Sequence, residues 1–218
     1  GFELSVLYAQ NGYGLVLVSS SKEHLENTEN RLNEQYSVPI LIYEQDLTKQ
    51  GAALELYNKI KQKKLDVTVL INNAGFGLVG ATDEINLSID EQMMMLNMIN
   101  LVSLSKLIIL DMYRNKKGKI LNVSSTGAFQ PGPYTSTYFA SKAFVLSYSR
   151  AIRYEAKARG VQICILCPGA TKTGFFRREG TATPNKAMLP EQVARIAFRG
   201  LMKNKEIIIP GLKNRLLQ

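Results

Sequence analysis

Six short runs of branched apolar residues recur along the chain, at 14–19, 38–44, 66–72, 118–124, 161–167 and 206–210, with longer helical patterns between them. They read GLVLVS, VPILIYE, DVTVLIN, GKILNVS, VQICILC and EIIIP, and most are continuous in apolar character rather than alternating. A strand with one face in water alternates, whereas a continuous run needs cover on both faces. The helical patterns near 22–36, 50–63, 88–114, 137–158 and 190–203 supply that cover. Strand–helix alternation of this kind predicts an α/β fold, a doubly wound parallel sheet of Rossmann-like type. With 218 residues and neither linker nor repeat, residues 1–218 are expected to form a single domain.

In such sheets ligands bind beyond the carboxyl ends of the strands. Polar and small residues gather there: Glu44–Gln45–Asp46, then Asn72–Asn73–Ala74–Gly75, then Ser124–Ser125–Thr126–Gly127, then Pro168–Gly169 with Thr171 and Thr173. Ordinary turn chemistry explains any one group, but less comfortably all four together. Early in the pattern 137–158 the stretch YFASK places Tyr138 and Lys142 four residues apart. That spacing puts both on one helix face. Alone it is a weak signal.

Composition removes several alternatives. The only histidine, His24, lies in an amphipathic helical pattern far from the cysteines and reads as a surface residue, so neither a histidine-based triad nor a histidine metal site is expected. Cys164 and Cys167 form C-x-x-C inside an apolar strand rather than at a helix start, which predicts packed core thiols instead of redox or zinc chemistry. The formal charge of +9 comes largely from clusters at helix ends and turns, KQKK at 61–64, RNKKGK at 114–119 and KNK at 203–205. There cations complement the helix dipole. Nucleic acid and membrane are not expected as partners, because aromatic and basic residues are not interleaved. The most apolar stretch, 96–110, carries asparagines and Lys106 and reads as a buried helix. The first residues lack the basic start and cleavage site of a signal peptide, and the expected location is cytoplasmic.

Taken in order, NNAG, a strand ending at Ser125, Tyr138-x-x-x-Lys142 and PGATKT resemble the short-chain dehydrogenase/reductase family, and the resemblance runs over essentially the whole chain. The run ILNVSSTGAFQPGPYTSTYFASKAF looks most like its bacterial branch of uncharacterised oxidoreductases. The resemblance implies hydride transfer between a nicotinamide dinucleotide and a carbonyl or secondary alcohol. Tyr138 would be the acid/base, with Lys142 lowering its pKa and holding the nicotinamide ribose. Ser125 would hydrogen-bond the substrate oxygen. Asn97 would hold a relay water, with Asn100, one turn on, as the rival for that role.

On the cofactor side the resemblance implies Gly1, Ser20, Asp46, Asn72, Ala74, Gly75, Tyr138, Lys142, Pro168, Gly169, Thr171 and Thr173. After the first strand the chain reads VSSSK, with Ser19 where an NAD-selecting acid would stand. NADP is therefore the expected cofactor, with NAD the alternative, and no metal is expected. The implied assembly is a homodimer or homotetramer through helices 88–114 and 137–158, and the implied partner is a small carbonyl or alcohol.

One departure stands out. Gly1 matches the last glycine of the family's phosphate-binding loop, so the family's first strand and most of that loop are absent from this sequence. The expectation is that upstream residues are missing, that 2–10 is a helix, and that the sheet opens between 14–19 and 66–72. A catalytically degenerate binding or regulatory protein on the same fold is the competing reading. Intact Ser125, Tyr138 and Lys142 argue against it.

Overall fold

The continuous apolar runs pair in parallel, and the pairing explains why both of their faces are apolar. A computed structural model of the chain describes residues 1–216. In chain order the elements are α1 (Phe2–Gln10), β1 (Leu15–Ser19), α2 (Lys22–Asn33), β2 (Ile40–Glu44), α3 (Ala52–Gln62) and β3 (Val69–Asn72). They continue with α4 (Leu87–Met94), a π-helical turn at Met95–Ile99, α5 (Asn100–Arg114), β4 (Gly118–Val123) and a 3₁₀ turn at Thr126–Phe129. The last are α6 (Ser136–Lys157), β5 (Val161–Leu166), α7 (Phe175–Glu179), α8 (Pro190–Met202), β6 (Ile207–Ile208) and α9 (Leu212–Leu216).

Successive side chains of a strand point to opposite faces, and the core divides accordingly. Ile120 of β4 and Ile163 of β5 pack with Ile108, Met112 and Ala156 from α5 and α6. Their neighbours Leu121 and Cys164 pack the other way, onto Leu4 and Tyr8 of α1 and Val193, Ala197 and Leu201 of α8. The result is a single-domain, doubly wound Rossmann-like fold, as the strand pattern predicts. Both cysteines are buried free thiols in this core.

The sheet is in two parts: β1 pairs with β2, and β3-β4-β5-β6 form the larger part. Among the described residues β1 and β3 are not hydrogen-bonded to each other, so the sheet opens where the sequence predicts. Val16 and Val18 of β1 and Leu70 of β3 nevertheless pack on one cluster, around Ala53, Leu56, Ile60 and Leu104. The predicted pattern 2–10 is helical as α1, and the predicted run 206–210 shrinks to the two paired residues of β6.

The pattern 88–114 is the one that changes character. It continues through α4 and α5, but a π turn interrupts it at Met95–Ile99. One turn of i→i+5 bonding inserts an extra residue and rotates the following face, a device frequent at functional sites. Leu87–Arg114 is long and apolar enough to cross a membrane by composition. In this fold its residues Leu101, Leu104, Ile108 and Met112 are buried.

Candidate active site

Every group implied by the resemblance on its catalytic side lies where β3, β4 and β5 end. β4 hands the chain to Ser124 and Ser125. The Ser124 hydroxyl donates to the Lys142 carbonyl at 2.7 Å, which staples the strand end to α6. Its amide donates to the Leu166 carbonyl at 2.8 Å, and the Thr126 amide to the Pro168 carbonyl at 3.0 Å, joining the two loops. Ser125 Oγ accepts from the Gly127 amide at 3.0 Å and starts the 3₁₀ turn. That leaves the hydroxyl facing Tyr138, where its hydrogen bonding favours the ionised phenol.

Tyr138 and Lys142 share one face of α6. The Tyr138 ring is closed in by Phe175, 5.4 Å away between centroids. A Cβ on Gly77 would stand 2.9 Å from the Tyr138 ring carbons and 3.2 Å from Phe175 Cζ. Only glycine lets the β3 loop come this close. Gly75 behaves alike: its Cβ would stand 2.9 Å from Asn97 Oδ1 and 3.2 Å from Lys142 Nζ. The glycines of NNAGFG therefore give backbone access to the Tyr138–Lys142 pair.

The electrostatics differ from the expectation drawn from the spacing. Burial pushes the Tyr138 phenol up to about 12, the Glu179 charge adds to the rise, and Ser125 opposes it. Lys142 does not pull it down. Its Nζ donates to the Val123 carbonyl at 3.0 Å and stands 5.7 Å from the Tyr138 ring centroid. Burial pushes the ammonium itself down to about 8, with Cys167 opposing. Desolvation disfavours the charged form of both groups. Cys167 lies beside Ser124, Ser125 and Lys142, its thiol pushed up to about 12 by burial.

The π turn decides between the two asparagines. Asn97, fully buried, donates to the Phe76 carbonyl at 3.0 Å and to Ser141 Oγ at 3.1 Å. It also accepts from the Phe76 amide at 3.3 Å, so it clamps the β3 loop to α6 beside Lys142. Asn100 faces elsewhere: it bonds the Leu47 and Lys49 carbonyls and the Ala53 amide, holding the loop before α3.

The cofactor-side residues divide. Gly1 starts α1 beside Asn73, whose Nδ2 would be 3.4 Å from a Cβ at Gly1. Gly1 offers no side chain to cap the helix, which leaves the first amides of α1 without a side-chain acceptor from it. Ala74 is exposed there, and Gly75 is half-buried. The Asn72 side chain turns away into the core: its Nδ2 donates to Ser105 Oγ at 3.0 Å and Asn122 Oδ1 at 2.8 Å. Only its backbone can border a ligand.

Asp46 accepts from the Thr48 amide at 2.9 Å and hydroxyl at 2.7 Å, and these bonds hold its carboxyl below the usual range. Ser20 is exposed, Ser19 Oγ accepts from the Ser21 amide at 3.2 Å, and Ser21 caps α2. Across the site the Thr171 hydroxyl donates to the Gly169 carbonyl, and Thr173 Oγ1 accepts from the Phe175 amide. A Cβ on Gly169 would meet the Asn214 side chain of α9 at 2.6 Å.

Sequence reading placed Ser124 only at the strand end and gave no individual role to Ser141, Phe76 or Glu179. Ser141 lies within YFASK and could have been read from its place one turn beyond Tyr138. Glu179 carries no signal in its neighbourhood.

A glycine-lined phenol and a buried ammonium thus stand at the carboxyl edge of a doubly wound parallel sheet, where such folds bind their ligands. The chain belongs to the short-chain dehydrogenase family, whose model, described as short chain dehydrogenase, matches residues 1–183. Human 17-beta-hydroxysteroid dehydrogenase type 3 is 34% identical over 178 residues, which is 78% of this chain and 54% of that protein. Very-long-chain 3-oxoacyl-CoA reductase from Anas platyrhynchos is 30% identical over 200 residues, 87% of this chain and 61% of that one.

The chain thus spans about half the length of the curated relatives it matches. Among solved structures, a short-chain dehydrogenase from Sphingobium yanoikuyae in complex with NADPH superposes with a TM-score of 0.91 at 26% identity. It covers 96% of this chain and 83% of its own. A bulky-bulky ketone specific alcohol dehydrogenase from Comamonas testosteroni gives 0.86 at 28% identity, with 99% and 85% covered. The vertebrate relatives give no support to the expected bacterial branch.

Proposed function

We propose that the chain is an NADP-dependent oxidoreductase that interconverts a carbonyl compound and its secondary alcohol, with Tyr138 as the acid/base. The observation that carries this reading is the convergence of Tyr138, Ser125 and Lys142 at one strand edge, with Gly75 and Gly77 bringing the β3 loop into close contact with them. The residues present fit a dinucleotide: the α1 N-terminus suits a pyrophosphate, and the exposed chain at Asn73 and Ala74, at the end of β3 beside Gly1, leaves backbone open to a ligand. Gly1, Ala74 and Gly75 would border the dinucleotide on one side and Pro168, Gly169, Thr171 and Thr173 on the other. Asp46 and Ser20 would lie at its adenosine end. When bound, the nicotinamide supplies or accepts the hydride.

The protein's own share is proton handling and orientation. A phenol held near 12 stays protonated at neutral pH, the form needed to give a proton to a carbonyl oxygen during reduction. Ser125 holds that oxygen and stabilises charge as it develops. Lys142, held by Val123 and backed by the Asn97–Ser141 pair, places a positive charge behind the phenol. Ser19 in place of an acid favours the 2′-phosphate of NADP, and the NADPH complex of the Sphingobium protein supports that choice. The degenerate alternative finds no support in this geometry.

The same reading includes a homodimer or homotetramer. Leu87, Ile99 and Leu110 along α4–α5 and Phe144 and Tyr154 on α6 are exposed apolar side chains on the two helices expected to pair. It also includes a cytoplasmic setting with neither membrane nor nucleic acid as partner. Tyr138→Phe tests the core of the proposal. Turnover of any carbonyl substrate should fall by at least about a thousandfold, while dinucleotide binding measured by calorimetry is retained. A variant that keeps wild-type kcat removes Tyr138 from the chemistry.

A further inference from the structure

The segment 171–188 leaves the site and returns to it. Its base is closed by a parallel bridge between Thr171 and Met188. The Lys172 amide donates to the Met188 carbonyl and the Met188 amide to the Ala170 carbonyl, each at 2.9 Å. Between these ends α7 turns back over the active site. Phe175 and Glu179 are four residues apart on α7, so they share a face. Phe175 fixes which face it is, because its ring lies 5.4 Å from that of Tyr138 and its Cζ is 3.2 Å from a Cβ at Gly77.

Glu179 on that face is only 9% exposed. Thr181 Oγ1 donates to its Oε2 at 3.0 Å, which orients the carboxylate. The negative charge reaches the reacting phenol, since it disfavours Tyr138 ionisation. Burying a carboxylate is costly unless donors meet it. A carboxylate accepts at both oxygens, and the Thr181 hydroxyl takes one site, on Oε2.

We infer that Glu179 is a specificity residue that selects carbonyl substrates bearing a hydrogen-bond donor, a hydroxyl or an ammonium, near the carbonyl, and rejects those bearing a carboxylate there. This rests on the carbonyl-reductase reading above. A site built around a polar group discriminates strongly against ligands that leave that group unpaired. A carboxylate on the ligand adds like-charge repulsion in a water-poor space.

The test uses ketones of one apolar skeleton that differ next to the carbonyl in a single group: methyl, hydroxyl, ammonium or carboxylate. Wild type and Glu179→Gln are compared by kcat/KM with NADPH and, separately, by calorimetric binding of the same ketones. Glutamine keeps the acceptor for Thr181 and removes the charge. In wild type the hydroxyl or ammonium ketone should exceed the methyl ketone by about tenfold or more in both readouts, with the carboxylate ketone weakest. In Glu179→Gln the ammonium-to-carboxylate ratio should fall by about tenfold or more, and an effect on ammonium larger than on hydroxyl identifies charge as its source. Ratios that are the same in the two proteins overturn the inference. Donor-selective binding without turnover of any ketone upholds Glu179 and overturns the reductase reading instead.

Discussion

Lys142 holds a charge where the fold least favours one, and replacing it with methionine should separate stability from activity. The side chain is 4% exposed, and among the described residues its ammonium has one acceptor, the Val123 carbonyl at 3.0 Å. Burial lowers its pKa from 10.5 to about 8. At about 1.4 kcal/mol for each tenfold change in the proton equilibrium, the charged form costs the folded state about 3 kcal/mol. The folded pKa lies below the unfolded one, so beneath pH 8 both states are protonated and the whole cost is present. Between about 8 and 10.5 the unfolded chain holds the extra proton and stability rises with pH, and above 10.5 the cost is gone.

Methionine fills a similar volume without the charge but leaves the Val123 carbonyl unpartnered, which returns about 1 kcal/mol or more. In the dinucleotide-free protein, Lys142→Met should therefore be more stable than wild type by about 1–2 kcal/mol at pH 7, a rise in Tm of roughly 3–6 °C for a chain of this size. The advantage should shrink steadily from pH 8 to 10, while turnover is lost. Urea unfolding followed by far-ultraviolet circular dichroism at pH 7, 8, 9 and 10 measures it. Taking the difference between the two proteins cancels the other groups that titrate in alkali, including Tyr8, which burial also raises. A variant less stable at pH 7, or a difference flat across the range, refutes the desolvated-ammonium account.

Other substitutions probe the rest of the site. Ser19→Asp should reverse the cofactor preference from NADPH toward NADH by setting a carboxylate against the 2′-phosphate; equal affinities for the two in both proteins, measured by fluorescence titration, would remove β1 from cofactor choice. Gly75→Ala drives a methyl to 2.9 Å from Asn97 Oδ1 and 3.2 Å from Lys142 Nζ. It should raise the dissociation constant for dinucleotide by about tenfold or more while costing about 1–3 kcal/mol of stability through overpacking. Pairing of α4–α5 and α6 across a two-fold axis should give at least a dimeric mass in light scattering at micromolar concentration, and Leu110→Lys, at an exposed position on α5, should lower it to the monomer.

What the sequence determines about this protein is what short periods and fixed spacings carry. The runs 118–124 and 161–167 are apolar on both faces, so β4 and β5 had to be buried between two helix layers, and Ile120 and Leu121 face opposite cores as strand geometry requires. The four-residue spacing of Tyr138 and Lys142 places them on one helix face without reference to anything else. The rule that parallel sheets bind ligands at their carboxyl edge, and the resemblance carried by NNAG and YFASK, picked out residues that the fold brings to one strand edge.

Tertiary structure decided the rest. The expected fall in the Tyr138 pKa became a rise to about 12, because desolvation is the sum of everything packed around the ring, including Phe175 and Glu179 from a distant segment. Asn97 rather than Asn100 joins the site because a π turn changes the helical phase between them, a single extra residue that an apolar pattern does not register. Asn72 reads as a ligand contact, yet its side chain is claimed by Ser105 and Asn122, its partner in the β3–β4 register. Local spacing fixes direction along one element, whereas burial, charge and hydrogen-bond partners are set by elements far apart in the chain.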